Sequence, residues 1–423
     1  MLSALLLPVL AASAFPHPTP QPPPALPPAI YRERQARVMK ELGGCTAALA
    51  SQGDPTGVTE DYRQDSDFLW LTGVAEKGGW IVLHPKAKYV KTTLYLRPRD
   101  PEAERWTGPR DPLSPALKDK FGVDAVRRGK GDRALLELGQ ESGCFAILSP
   151  PTLKDDRDDV AALRQAAAAL GVNLVFKRQL LERLREAHGP EELALMEQAI
   201  AITRKGHEAA ARATVPGVSE RDVQTQLEYA FFSAGATGLS YSSIVGSGEN
   251  GAVLHWDENS RMLRDGDLVV VDAAAEYGRY AADVTRTFPV SGRFNEEQAK
   301  AYRAVYQAQE DIFATIHAGA TMQDLQRAAE NSLRKAGYLD KFIHGFGHFV
   351  GLDVHDAGNY LGPLPVGAVL TVEPGVYLPE RGFGIRIEDE VVVTEEGYRL
   401  LTKAFPRRLE DVERWVQDAR SAK

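Results

Sequence analysis

Two rhythms of apolar and polar positions divide the chain. Between Tyr31 and Arg178 the apolar residues come in short runs bounded by turn formers. Phe68-Leu69-Trp70-Leu71 ends at Thr72-Gly73, Trp80-Ile81-Val82-Leu83 at His84-Pro85, and Thr93-Leu94-Tyr95-Leu96 at Arg97-Pro98. Runs of this length and setting predict buried strands. An alanine-rich helix over Ala161–Leu170, closed by Gly171, and a strand at Leu174-Val175-Phe176 complete a strand–helix alternation. The prediction is a small α/β domain over residues 31–178.

From Gln179 the period lengthens. Pro190 at a first helical position, with Glu191 and Glu192 at the positive end of the helix dipole, opens a helix whose Leu193, Met196, Ile200 and Thr203 recur at helical spacing. Pro216-Gly217 stops it. Ser219 with Asp222 resembles a capping box for a second helix running to Gly235. Turn-rich strands follow to Val290, then helices over Glu296–His317 and Met322–Ala336, then more strands. The order helix–helix–strands thus occurs twice within residues 179–423, as in a duplicated half. The charged tail after Pro406 predicts a surface helix. The fold class is mixed α/β (α+β), a front domain followed by a larger one.

The 423 residues, against roughly 100–200 for a typical domain, fit two domains with an appended segment. With 43% hydrophobic and 26% charged residues the chain can bury a core, which excludes a disordered protein. A net charge of −8 leaves no electrostatic footprint for nucleic acid. Two cysteines, Cys45 and Cys144, exclude a disulfide framework and a four-cysteine zinc site but allow one bridge.

Residues 1–30 stand apart. Met1–Ala14 has no acidic residue, a short apolar core and an Ala12-Ser13-Ala14 end, and reads as a secretory signal peptide for export. The usual Lys or Arg before the core is missing, so an apolar start that stays disordered is the other reading. The stretch is too short to span a bilayer, and no later run qualifies. Phe15–Ile30 carries eight prolines and predicts an extended linker without helix or interior strand.

Candidate chemistry lies in two hairpins. Asp267-Leu268-Val269-Val270-Val271-Asp272 is an apolar strand with a carboxylate inside it. A two-residue turn at Tyr277-Gly278 would set Asp272 directly opposite Asp283. Like charges opposed across a ladder are destabilising, and burial makes them worse, so a cation between them resolves the conflict. Val369-Leu370-Thr371-Val372-Glu373 repeats the device, with Glu373 and Glu388 symmetric about Pro379-Glu380-Arg381-Gly382. Three of the nine histidines, His344, His348 and His355, share one glycine-rich stretch, and His255 precedes the first acidic strand. Oxygen donors with an imidazole suit Mn²⁺, Zn²⁺, Co²⁺ or Fe²⁺. Two such ions sharing carboxylates generate hydroxide at neutral pH. The residues alone therefore point to a dinuclear metallohydrolase of unstated substrate.

In order and context, Asp272, Asp283, His348, Glu373 and Glu388 resemble the metal-ligand set of the pita-bread peptidases, the family of methionine aminopeptidase, prolidase and aminopeptidase P. The segments SYSSIVGSGENGAVLHW, LVVVDAAAEYGRYAADVTRTFPV, HGFGHFVGLDVHD, LTVEPGVY and GIRIEDEVVVT resemble aminopeptidase P in particular, as do YRQDSDFLWLTG and LRPRDPEAERWTGPR in the front domain. The stretch from Asp356 to Gly367 and the loop after Glu373 are shorter than in the longer members. The resemblance implies a pita-bread catalytic domain over 179–423 with pseudo-two-fold halves, an aminopeptidase P-like domain over 31–178, and two Mn²⁺ per subunit, with Co²⁺ or Zn²⁺ possible. It implies a substrate peptide with proline at its second position. Glu373 would be the general base and His355 the oxyanion donor. His255, His344 and Tyr377 would line the substrate pocket, and Arg386 would support the metal carboxylates. Asp67 and Trp106 would help build the site from the front domain, partly across contacts of a homodimer or homotetramer.

Three rivals share the fold. A prolidase would take Xaa-Pro dipeptides with the same metals. An inactive binding module, or a metal-free creatinase-like enzyme, should have lost ligands, and all five are present here.

Overall fold

The structure, a computed structural model, describes residues 22–51, 62–129, 141–148, 164–165, 167–169 and 171–421. Its first helix, α1 (Pro28–Glu41), begins inside the proline-rich segment. Pro28 lies in the first turn, where a missing N–H costs nothing and a fixed φ suits a helix. The expected linker therefore gives way to helix at Pro28 and does not extend to Ile30. The signal-like Met1–Ala14 lies outside the described residues.

Among the described residues the front domain has six strands: β1 (Thr46–Ala50), β2 (Trp80–Leu83), β3 (Thr92–Leu96), β4 (Ala125–Arg128), β5 (Cys144–Ile147) and β6 (Asn173–Phe176). They lie in the order β4-β3-β2-β1-β5-β6. β1, β2 and β3 form an antiparallel meander, and β4, β5 and β6 join in parallel. Cys45 and Cys144, at the starts of the neighbouring β1 and β5, form a disulfide. Phe68–Leu71, expected as a strand, is part of helix α2 (Ser66–Thr72). The reason is local. The Asp65 carboxylate accepts the Phe68 N–H at 2.9 Å, and Gly73, at φ 67°, closes the other end. Apolar periodicity alone cannot separate so short a helix from a strand. Helices α3 (Pro101–Thr107) and α4 (Pro115–Lys120) cross over between β3 and β4, and α5 (Arg178–Arg185) leads out of the domain.

The second region opens with α6 (Pro190–Ala213) and α7 (Glu220–Ser233), the latter capped by the reciprocal Ser219–Asp222 pair. Strands β7 (Gly238–Leu239), β8 (Ile244–Ser247), β9 (Leu268–Asp272), β10 (Ala275–Tyr277), β11 (Tyr280–Ala281) and β12 (Thr285–Pro289) follow. Then come α8 (Glu296–Phe313) and α9 (Met322–Ala336). They lead to β13 (Val369–Val372), β14 (Gly375–Leu378), β15 (Phe383–Arg386), β16 (Asp389–Val393) and β17 (Tyr398–Leu400). Each half supplies a packed helix pair and a three-stranded antiparallel sheet, β12-β9-β8 in one and β13-β16-β17 in the other. The charged tail forms α10 (Leu409–Ser421). Its inner face, Leu409, Val412, Trp415, Val416 and Ala419, is buried, and the helix packs on α6. Among the described residues no helix is long and apolar enough to cross a membrane.

Candidate metal centre and active site

Asp272 ends a buried strand and Glu373 follows one, while Asp283 and Glu388 lie in short gaps between strands. β9 is buried throughout and ends at Asp272. The hairpin beyond it turns at Gly278-Arg279, both left-handed with φ 60° and 74°, and not at Tyr277-Gly278. This turn pairs Tyr277 with Tyr280 and carries the register to Asp272 opposite Thr285. Asp272 and Asp283 are therefore not directly opposed. The difference is two residues, and strand side chains alternate faces with period two. Both aspartates still share a face, on a diagonal.

The second hairpin keeps one register along its length, Val372 with Asp389 and Gly375 with Arg386. Glu373 and Glu388 face each other where the ladder opens at Pro374. The freed backbone groups find new partners. The Glu373 N–H donates to Phe346 O at 2.8 Å, and the Glu388 N–H donates to Thr285 O at 3.1 Å, joining the two halves at the site.

His348 comes in on a loop laid against β13. A Cβ at Gly347 would meet Thr371 O at 2.1 Å, so only glycine permits that approach. The His348 Nδ1 faces Phe349 O at 3.1 Å, which leaves Nε2 turned toward Asp283 Oδ2 and Glu373 Oε1, each at 3.4 Å. Ligand atoms of Asp283, His348 and Glu388 lie within 4.8 Å of one another. An imidazole whose far nitrogen donates to a carbonyl is the usual arrangement of a metal-binding histidine.

The electrostatics of this cluster agree. Burial, reinforced by Asp283, Glu373 and Asp272, pushes the Glu388 carboxyl well above its usual range. Burial also pushes Glu373 up to about 7, with His348 pulling the other way. Desolvation works against a charged His348, yet the hydrogen bond and charge of Asp283 raise it to about 9. A field that holds a proton this tightly also favours a cation. Asp272 has Arg386 as its ion-pair partner, and Glu388 has none among the described residues. The donor set, four carboxylates and one imidazole, fits hard to borderline divalent ions.

Around the cluster lies a cavity of about 610 Å³ that includes His255, His344, His355 and Arg386 in its lining. Burial, with Arg386 next, depresses His344 to about 4, so it is neutral at pH 7. Its Nδ1 faces Gly345 O at 2.8 Å and its Nε2 faces the Tyr377 hydroxyl at 2.9 Å. The His355 ring lies 3.9 Å from that of His348, and burial and the His348 charge lower its pKa. Arg386 donates to Asp272 Oδ2 at 2.5 Å and to the Tyr377 hydroxyl at 2.8 Å.

Three expected site residues lie elsewhere. Tyr377 is buried behind the cavity wall, where it braces His344 and Arg386 and does not face the cavity. Asp67 is buried in an ion pair with Arg185, outside the cavity. Trp106, on α3, is 87% exposed and does not line the cavity of its own chain. Other contributors are legible only in three dimensions. The Tyr241 hydroxyl donates to Asp272 Oδ1 at 2.6 Å, and the Thr285 hydroxyl donates to Glu388 Oε2 at 2.6 Å. Glu390, fully buried, accepts the Asp283 N–H at 2.5 Å.

Comparison with known proteins places this geometry. Residues 194–395 match the model for metallopeptidase family M24, and residues 31–139 match the aminopeptidase P N-terminal domain. The Xaa-Pro aminopeptidase of Haemophilus influenzae is 32% identical, over 92% of this chain and 97% of its own. The chain belongs to metallopeptidase family M24. Among solved structures, the aminopeptidase PepP of Pseudomonas aeruginosa superposes with a TM-score of 0.84 at 31% identity, covering 94% of this chain and 99% of that one. A zinc-substituted Escherichia coli aminopeptidase P with product bound gives 0.84 at 30%, covering 94% and 100%. The M24 half has the pita-bread fold, and the duplicated helix–helix–sheet order is its signature.

Proposed function

We propose that the chain is a dinuclear metal-dependent Xaa-Pro aminopeptidase, releasing the first residue of peptides whose second residue is proline. The observation that carries this is the facing of Glu373 and Glu388 beside Asp283 and His348 Nε2, inside a cavity lined by three further histidines. The name and length match of the M24 relatives support the substrate class.

Asp272, Asp283, His348, Glu373 and Glu388 would hold two Mn²⁺, with Co²⁺ or Zn²⁺ as substitutes. Bound ions supply an acidified water and polarise the scissile carbonyl. The remaining work belongs to the chain. Glu373, at the cavity wall, takes the water proton and returns it to the leaving proline nitrogen. His355 donates to the developing oxyanion. His344, neutral and fixed by Tyr377, lines the substrate side, and His255 meets the proline-side carbonyl. Arg386 and Tyr241 fix the Asp272 carboxylate between them. The Xaa–Pro bond has no N–H, so no group is needed to accept one. Residues 31–178 would act as a front domain and 179–423 as the catalytic domain. In a homodimer or homotetramer the exposed Trp106 would meet a neighbouring subunit.

Purified protein with Mn²⁺, given Ala-Pro-Ala and Ala-Pro separately, is expected to cleave the tripeptide at a kcat/KM at least about tenfold higher. A preference for the dipeptide would make it a prolidase.

A further inference from the structure

His355, the proposed oxyanion donor, is exposed in the cavity and makes no hydrogen bond among the described residues. Its aim is therefore set by the loop that carries it, Gly351 to Asp356. That loop is anchored from outside the catalytic domain's sheets. Arg185, at the end of α5, is 5% exposed. Its Nη1 donates to Asp67 Oδ1 at 2.6 Å, on α2 of the front domain. Its Nη2 donates to Asp353 Oδ2 at 3.1 Å and to Asp356 Oδ1, the residue after His355. Asp356 also closes the loop on itself, accepting the Leu352 N–H at 3.1 Å and the Ala357 N–H at 2.7 Å. This closure needs a glycine, because a Cβ at Gly351 would sit 2.0 Å from Asp356 Oδ2. The front domain adds two more ties. The Ser66 hydroxyl donates to Asp353 Oδ1 at 2.7 Å, and Arg63 donates to Leu352 O.

We propose that Arg185 is a positioning residue for the reaction: by tying Asp356 and Asp353 to Asp67, it makes the front domain of the same chain the anchor that aims His355. This rests on the reading of His355 as the oxyanion donor. A buried guanidinium bridging three carboxylates exceeds what holding two domains together requires. One branch ends on the residue next to His355, and a planar fork fixes direction as well as distance. The Asp67 motif of the front domain thus acts on the chemistry without entering the cavity.

The test is a double-mutant cycle on the Mn²⁺-loaded full chain with Ala-Pro-Ala, measuring kcat, KM and bound metal. Arg185→Lys keeps the charge and loses the fork. It is expected to lower kcat by about 10–100-fold, the scale of a misplaced catalytic group. KM and metal content should stay within about twofold. In a His355→Ala background the same change should cost less than about twofold, because there is nothing left to aim. An equal loss in both backgrounds, or full kcat in Arg185→Lys alone, overturns the proposal. If His355→Ala itself turns over at the wild-type rate, the oxyanion reading fails and the anchor fails with it. Should Arg185→Lys not fold, the Ser66→Ala and Arg63→Gln pair is read in the same cycle. It loosens the loop from the front-domain side and should give a several-fold loss confined to the His355 background. A loss in both backgrounds counts against the proposal as before.

Discussion

His348 and His355 stand with their rings 3.9 Å apart and face different surroundings. The Nε2 of His348 faces two carboxylates, whereas His355 faces the open cavity. His355→Ala should keep both metals and lose about 100–1000-fold in turnover, the usual effect of deleting one oxyanion donor. His348→Ala should lose metal. Metal titration calorimetry beside kinetics separates the two, and a metal-deficient His355→Ala with a metal-replete His348→Ala would swap the roles. The carboxylates were legible in the sequence because an acid inside an apolar strand has few innocent explanations. Tyr241, Thr285 and Glu390 were not, since a hydroxyl or one more acid in an acidic segment carries no signal until the fold brings it to a site carboxylate. Asp67 stood out in sequence for its motif, but its buried partner, Arg185, is 118 residues away.

Elements were legible where period and punctuation agreed. α6 and α7 begin where their proline and capping residues place them, and α9 keeps the expected span Met322–Ala336. The exceptions share a cause, which is turn chemistry read one step off. Phe68–Leu71 looked like a strand until the Asp65 cap and the Gly73 terminus were weighed together. Asp65→Ala should therefore cost about 0.5–2 kcal/mol in urea unfolding, with no change in metal content. An unchanged midpoint would mean that the cap contributes nothing. In the first hairpin the left-handed pair is Gly278-Arg279, and a non-glycine residue at φ 74° is an uncommon choice that composition did not announce. Because the register moved by an even number, the functional conclusion drawn from the hairpin survived.

At the scale of the whole molecule, the metal-free protein should carry its charge conflict as a pH-dependent instability. Glu388 and Glu390 are raised far above the carboxylate range, chiefly by burial, and His348 is raised to about 9 despite its burial. Groups whose folded pKa is raised stabilise the fold fully below their unfolded values and lose that contribution as pH rises through the folded ones. His207 and His344, both depressed to about 4 chiefly by burial, act oppositely, but only below about 6.5. From pH 6.5 to 9 the shifts of Glu388, Glu390 and His348 act together, so the Tm of metal-free protein should fall. Adding Mn²⁺ should raise Tm most at the upper end. A metal-free Tm that climbs over this range contradicts the buried-carboxylate account. The duplicated architecture was visible in sequence as a repeated element order. The Arg185 bridge between front domain and catalytic loop was not, because ion pairs between distant segments have no local pattern.

The most direct test of the central claim is a metal titration of chelator-stripped protein, with tripeptide cleavage and bound metal measured at each point. The account predicts no Ala-Pro-Ala cleavage in the metal-free chain and a return of activity that saturates at two Mn²⁺ per chain. It predicts that Asp283→Asn restores neither metal binding nor activity. Full activity in metal-free protein, or wild-type metal content in Asp283→Asn, would contradict it.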